Sequence, residues 1–170
     1  MITVIYSTIT GNTEKVAKSI YESLKVEKEI FNINDIAQKN FEKSDIIILC
    51  YWCSRGTADS KTLGFLDKVK NKKIIAVGTL GAYVESEHGQ KMAERVKEKV
   101  MEKNEYIGKF VCRGKIDPKR TEKRLSLPKT DKHFLDEEGY KRHLSSRVHP
   151  TQEDLSNAID VVQNILKDCM

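Results

Sequence analysis

The run Asp45-Ile46-Ile47-Ile48-Leu49-Cys50-Tyr51-Trp52 is almost unbroken by polar residues. A strand with one face in water alternates apolar and polar side chains, so a continuous run points to a strand buried on both faces. Such strands belong to parallel sheets covered by helices on each side. The rest of the chain supplies the other members. Ile2 to Tyr6 is a second β-branched run, Glu29 to Ile33 alternates as a short strand, and Lys73 to Gly78 and residues 107–113 give two more. Between them, Val16, Ala17, Ile20 and Leu24 recur at helical spacing, as do Leu63, Leu66 and Val69, and Met92, Ala93, Val96 and Val100 after Ser86. Thr151-x-x-Asp154 behind Pro150 is a capping box ahead of Leu155, Ala158, Ile159, Val162 and Ile165. Strands that alternate with helices need right-handed crossovers. The expected fold is therefore α/β, doubly wound around a five-stranded parallel sheet, with residues 1–170 as a single domain.

Composition agrees with this. A chain of 170 residues, 39% hydrophobic and 32% charged, can bury a full core. No stretch has the apolar length of a membrane span, and the N-terminus lacks the layout of a signal peptide. Cys50, Cys53, Cys112 and Cys169 have no disulfide-framework spacing, so a cytoplasmic location with reduced thiols is expected.

The first strand ends in Ser7-Thr8-Ile9-Thr10-Gly11-Asn12-Thr13, and the first helix follows at once. A phosphate can sit on the free N–H groups and positive dipole end of that helix, with the Thr8, Thr10 and Thr13 hydroxyls as further donors and Gly11 giving close backbone approach. No lysine is needed in the loop. Neither the Gly-x-Gly-x-x-Gly of dinucleotide folds nor the Gly-Lys-Ser/Thr of triphosphatases is present. An ordinary Thr/Asn-rich helix cap is the plainer alternative.

The spacing Thr8-x-Thr10-Gly11-Asn12-Thr13 resembles the FMN phosphate loop of the flavodoxin family. The resemblance implies strand order 2-1-3-4-5 and FMN across the carboxyl ends of the first, third and fourth strands. Residues Ser7, Thr8, Ile9, Thr10, Gly11, Asn12 and Thr13 would then hold the phosphate. Tyr51, Trp52, Cys53 and Gly56 after the third strand, and Thr79, Leu80, Gly81 and Tyr83 after the fourth, would meet the isoalloxazine ring. Trp52 and Tyr83 are the implied ring neighbours, since a flat apolar ring with a polar edge is held by aromatic stacking and backbone groups. Packing at the end of a buried strand is the other reading of Tyr51 and Trp52. Gly56 is the implied site of a peptide whose C=O turns toward flavin N5.

Other constellations carry less. Cys50-x-x-Cys53 ends a buried strand, not a helix N-terminus where a thiolate is stabilised, so packing is favoured over redox chemistry. His88 with Glu85 and Glu87 reads first as a solvated helix start. His133, His143 and His149 lack ligand spacing, so no metal and no catalytic residue is assigned.

Residues 117–150 depart from the five-repeat plan by separating the fifth strand from the last helix. From Lys109 to Arg147 there are twelve Lys/Arg against six Asp/Glu, a charge of +6 within a chain of +5. A solvated loop is one reading of this basic segment; a docking surface for a redox partner with an acidic face is the other. Nucleic acid is disfavoured because no aromatic ladder or reading motif is present, and no amphipathic anchor points to a membrane. Residues 78–88 and 108–116 also resemble short flavodoxin-like proteins associated with bilirubin reductase. That resemblance implies an FMN electron-transfer flavoprotein feeding a partner reductase, an accessory rather than a stand-alone enzyme. The alternative is an FMN oxidoreductase acting on a quinone, porphyrinogen or other small molecule beneath the basic segment.

Overall fold

The computed structural model describes residues 1–37 and 41–169. Its elements run β1 (Ile2–Tyr6), α1 (Asn12–Ser23), β2 (Lys28–Asn32), β3 (Ile46–Ser54), β4 (Thr57–Ala58), α2 (Ser60–Leu66), β5 (Lys73–Leu80), α3 (Glu87–Met101), β6 (Glu105–Arg113), α4 (Pro118–Leu125), α5 (Glu137–Ser145) and α6 (Gln152–Cys169). The long strands are parallel in the order β2-β1-β3-β5-β6, and these are the five expected from the sequence in the expected arrangement. A sixth strand corrects the count. The two-residue β4 folds back antiparallel on the end of β3, pairing Cys53 with Ala58.

Alternation along β3 divides the core. Ile46, Ile48 and Cys50 join Val16, Ala17 and Ile20 of α1 and Ala158 and Val162 of α6 on one face. Ile47, Leu49 and Tyr51 join Phe65 and Leu66 of α2 and Met92, Val96 and Val100 of α3 on the other. Each such aliphatic side chain contributes about 1.5–3 kcal/mol by leaving water, which is why β3 carries no polar face. Tyr51 lies beside Gly78 in register, and a Cβ on Gly78 would stand 2.8 Å from its ring.

The β5–β6 pairing slips once: Ile74 pairs with Tyr106 but Ile75 pairs with Gly108, leaving Ile107 as the extra residue of a bulge. At Gly108 a Cβ would meet Ile165 of α6 at 2.5 Å, so the helix lies directly on the strand there.

Residues 117–150 are not a solvated loop. Asp117 caps α4 by accepting from the Lys119 N–H, with Pro118 in the first turn, and Asp136 caps α5 by accepting from the Gly139 N–H. The Thr121 hydroxyl and His143 Nδ1 bond at 2.9 Å and join the two helices, both residues being buried. The Ile116 N–H donates to Ser146 Oγ at 3.0 Å and closes the unit onto the end of β6. The anticipated capping box is present, with Thr151 N–H donating to Asp154 Oδ2 and Asp154 N–H to Thr151 Oγ1.

Candidate functional site

The carboxyl ends of β1, β3 and β5 open into a cleft of about 860 Å³. On its first wall, Gly11 takes the left-handed conformation (φ +88°) at the N-cap of α1. A Cβ there would touch nothing within 4 Å, so backbone conformation, not crowding, requires glycine. Gly11 N–H donates to Thr8 Oγ1 at 3.0 Å, and Asn12 Nδ2 donates to Thr10 Oγ1 at 3.2 Å. Both threonine hydroxyls accept in these bonds, so each keeps its own O–H to donate outward. Thr13 and Thr79 share a hydroxyl bond of 2.8 Å, which leaves one more O–H free. Among the described residues nothing accepts the N–H groups of Thr10, Asn12 or Thr13, as expected for the first turn of a helix. The wall thus gathers several unused donors at one place, suited to an oxyanion. Thr8, Ile9, Thr10, Asn12 and Thr13 line the cleft. Ser7 does not: its hydroxyl donates to Asp59 Oδ1 at 2.8 Å in the interior.

The second wall comes from the ends of β3 and β5. Trp52, Cys53, Gly56, Thr79, Leu80, Gly81 and Tyr83 line it. Tyr51 is 1% exposed and packs in the core, so its ring faces away from the cleft. The Gly56 C=O accepts from Arg95 Nη1 at 2.9 Å, and with φ at +77° a Cβ would stand 2.7 Å from that atom. Gly81 leaves room for Ile116, whose side chain would lie 2.5 Å from a Cβ at that position. Cys53 Sγ lies 3.7 Å from His88 Nε2, and burial pushes its thiol pKa up. Cys50 is wholly buried and makes no second thiol at the site.

Asp59 is a residue that sequence reasoning missed. It is 2% exposed and accepts from Ser7 Oγ, the Lys61 and Thr62 N–H groups and Thr62 Oγ1. It caps α2 and ties the end of β1 to the loop after β3, so the two walls hold one spacing. Arg113 does the same for the third wall. It stacks on the Tyr83 ring at 4.5 Å and donates to Gly81 O, Arg142 O and Ser145 Oγ.

That third wall is the α4–α5 unit, from which the sequence named no cofactor-binding residue. Arg120, Arg124, His133, Arg142 and His143 line the cleft from it, with Lys115 and Ile116 just before. Burial, with Arg142, Arg124 and Arg120 nearby, pushes His143 down to about 4, so it is neutral near pH 7. Burial and the neighbouring Arg120 and Arg142 also hold Arg124 below the usual guanidinium range.

Comparison with known proteins agrees with this construction. A family model described as a flavodoxin domain matches residues 3–163. The chain is 30% identical over 168 residues to the flavodoxin-like domain-containing protein BilS of Clostridioides difficile (strain CD3), covering 96% of this chain and 94% of that one. Two solved structures share the fold. Oxidised flavodoxin 2 from Bacillus cereus superposes with a TM-score of 0.63 at 16% identity, covering 98% of each chain. Oxidised flavodoxin 1 from Bacillus cereus gives 0.61 at 18% identity, covering 98% of this chain and 97% of that one. The chain therefore belongs to the flavodoxin family of FMN-binding flavoproteins, whose members serve in electron transfer and oxidoreduction.

Proposed function

We propose that this chain binds FMN between its three walls and passes electrons to a partner reductase that docks through an acidic face. The observation that carries the reading is the donor-rich wall at Thr8–Thr13 set across one cleft from Trp52 and Tyr83. The free hydroxyls and first-turn N–H groups match a phosphate, and the two aromatic residues with the Leu80–Ala82 backbone match a flat ring with a polar edge. Bound FMN supplies one- or two-electron redox chemistry, and the protein's part is to hold, orient and shield it. Gly56 offers no free C=O here, since Arg95 occupies it; turning that peptide requires the guanidinium to let go.

The folded α4–α5 unit favours a second reading. A roof over the cleft is what an oxidoreductase with its own small-molecule substrate requires, whereas a carrier requires only an exposed flavin edge.

Titrating the purified chain with FMN tests the first step. The expected outcome is stoichiometric binding with quenched Trp52 emission, followed by anaerobic reduction of the bound flavin. A Trp52→Ala variant should lose about 1–3 kcal/mol of FMN affinity through lost stacking and burial. Full affinity with a weakened fold would assign Trp52 to the core instead.

A further inference from the structure

The roof of the cleft carries a positive charge that the chain does not neutralise. Arg120, Arg124 and Arg142 all line the cleft, and among the described residues none forms an ion pair with an acid. Asp117 and Asp136 cap α4 and α5, Glu137 pairs with Lys141 at 2.9 Å, and among the described residues Glu122 and Glu138 form no ion pair with the three arginines. His143 stays neutral and holds α5 to α4 through Thr121, and the Arg142 C=O is fixed by Arg113 at 2.9 Å. Three arginines thus reach a common cavity from a tied framework, Arg120 exposed and Arg124 and Arg142 half-buried, and an anion there would relieve their mutual repulsion.

We propose that Arg120, Arg124 and Arg142 form a recognition site for a small organic anion carrying two carboxylates, bound in the same cleft as FMN. Guanidinium forks match carboxylates in paired hydrogen bonds, and three of them suit more than one such group. The Ile116 and Ala82 side chains add apolar surface in the same cleft, which suits a carbon skeleton between the charges. The flavin's phosphate is a poorer occupant, because the Thr8–Thr13 wall already provides donors for one phosphate. An acidic protein surface would meet Lys119 and Lys123, which are exposed and do not line the cleft. Only the position beside FMN rests on the proposed function; the anion site itself does not.

The test is calorimetric titration of the full chain at low ionic strength, with and without FMN, using isophthalate, benzoate and the neutral benzamide as probes. Isophthalate should bind roughly tenfold or more tighter than benzoate, and benzamide should not bind. Arg124→Gln should weaken isophthalate at least about tenfold, and Arg142→Gln serves if circular dichroism shows the first variant misfolded. The proposal is overturned if isophthalate binds no better than benzamide, if it displaces FMN, or if folded arginine variants keep isophthalate but lose FMN. If FMN fails to bind while isophthalate does, the function proposed above falls and the anion site stands.

Discussion

The Thr8–Thr13 loop and the α4–α5 roof face each other across one cleft, and they are assembled by opposite means. The loop is tied within itself, by Thr8 to Gly11 and Thr10 to Asn12. The roof is tied across distance, with Thr121 reaching His143, Ile116 reaching Ser146 and Arg113 reaching Arg142. The loop presents donors and carries no formal charge, whereas the roof presents guanidinium groups and a buried neutral imidazole. A locally closed motif is set by its own sequence, while a motif closed at long range depends on the strand that delivers it. Among the described residues a single hydrogen bond joins the two, from Asn12 Nδ2 to the Lys115 C=O at 2.9 Å.

The largest effect that would sharpen this contrast lies in the roof. His143 is held at about 4 against an ordinary value of 6.5, so the unfolded chain takes up protons before the folded one as pH falls. The stability from a neutral buried His143 is complete above pH 6.5 and is lost as pH falls toward 4. The loss should amount to about 2 kcal/mol by pH 5 and about 3 kcal/mol by pH 4. Urea unfolding from pH 7 to 5 measures it, and His143→Gln should flatten that slope. An unchanged slope would mean that the imidazole is not sealed between the helices.

The next effect lies in the loop. Gly11→Val forces a β-branched residue to a φ of +88° and fills the space an anion would enter. FMN affinity should fall roughly a hundredfold, about 2.7 kcal/mol, with the fold retained. Fluorescence titration of the folded variant decides it, and intact affinity would break the assignment of this wall to the phosphate.

The smallest effect concerns the outer face of the roof. Lys119→Glu with Lys123→Glu should slow reduction of an acidic partner by a few-fold at low salt, converging with the parent chain once charges are screened over about 8–10 Å. Stopped-flow rates across a salt series give the answer. FMN affinity should not move, because neither lysine lines the cleft. Equal rates at every salt would remove α4 from the docking surface.

How much of this could be read beforehand follows from the same contrast. The five parallel strands announced themselves as β-branched or alternating runs bounded by turn residues, and their parallel direction followed from alternation with helices. The Thr8–Gly11 and Thr10–Asn12 bonds of the first wall span two to three residues, so that part was legible, whereas the Thr13–Thr79 bond was not. Helices α4 and α5 were not, since each buries so few residues that no apolar stripe appears: Thr121 in one, Gly139 and His143 in the other. Their caps were visible as Asp117-Pro118 and Asp136, and reading those would have found both. Asp59 was hidden differently, because a buried carboxylate that accepts four hydrogen bonds looks in sequence like any loop acid. Tyr51 went the other way: an aromatic residue at a strand end reads as a ligand neighbour, but alternation turns it into the core beside Gly78.

The slip at Ile107 governs which way Arg113 points. Before it, Ile107 faces the α1–α6 side and Tyr106 the α2–α3 side; after it, Phe110 and Cys112 face α1–α6, which sends Val111 and Arg113 to the other. Parity along a strand is absolute, so if the register ran on unbroken, with Ile107 beside Ile75, Cys112 would stand beside Leu80 and exchange faces with Arg113. A guanidinium would then enter an apolar layer, and Tyr83, Gly81 and α5 would lose their common partner. The geometry of the cleft is therefore decided roughly 17 Å away, at a residue that touches none of it.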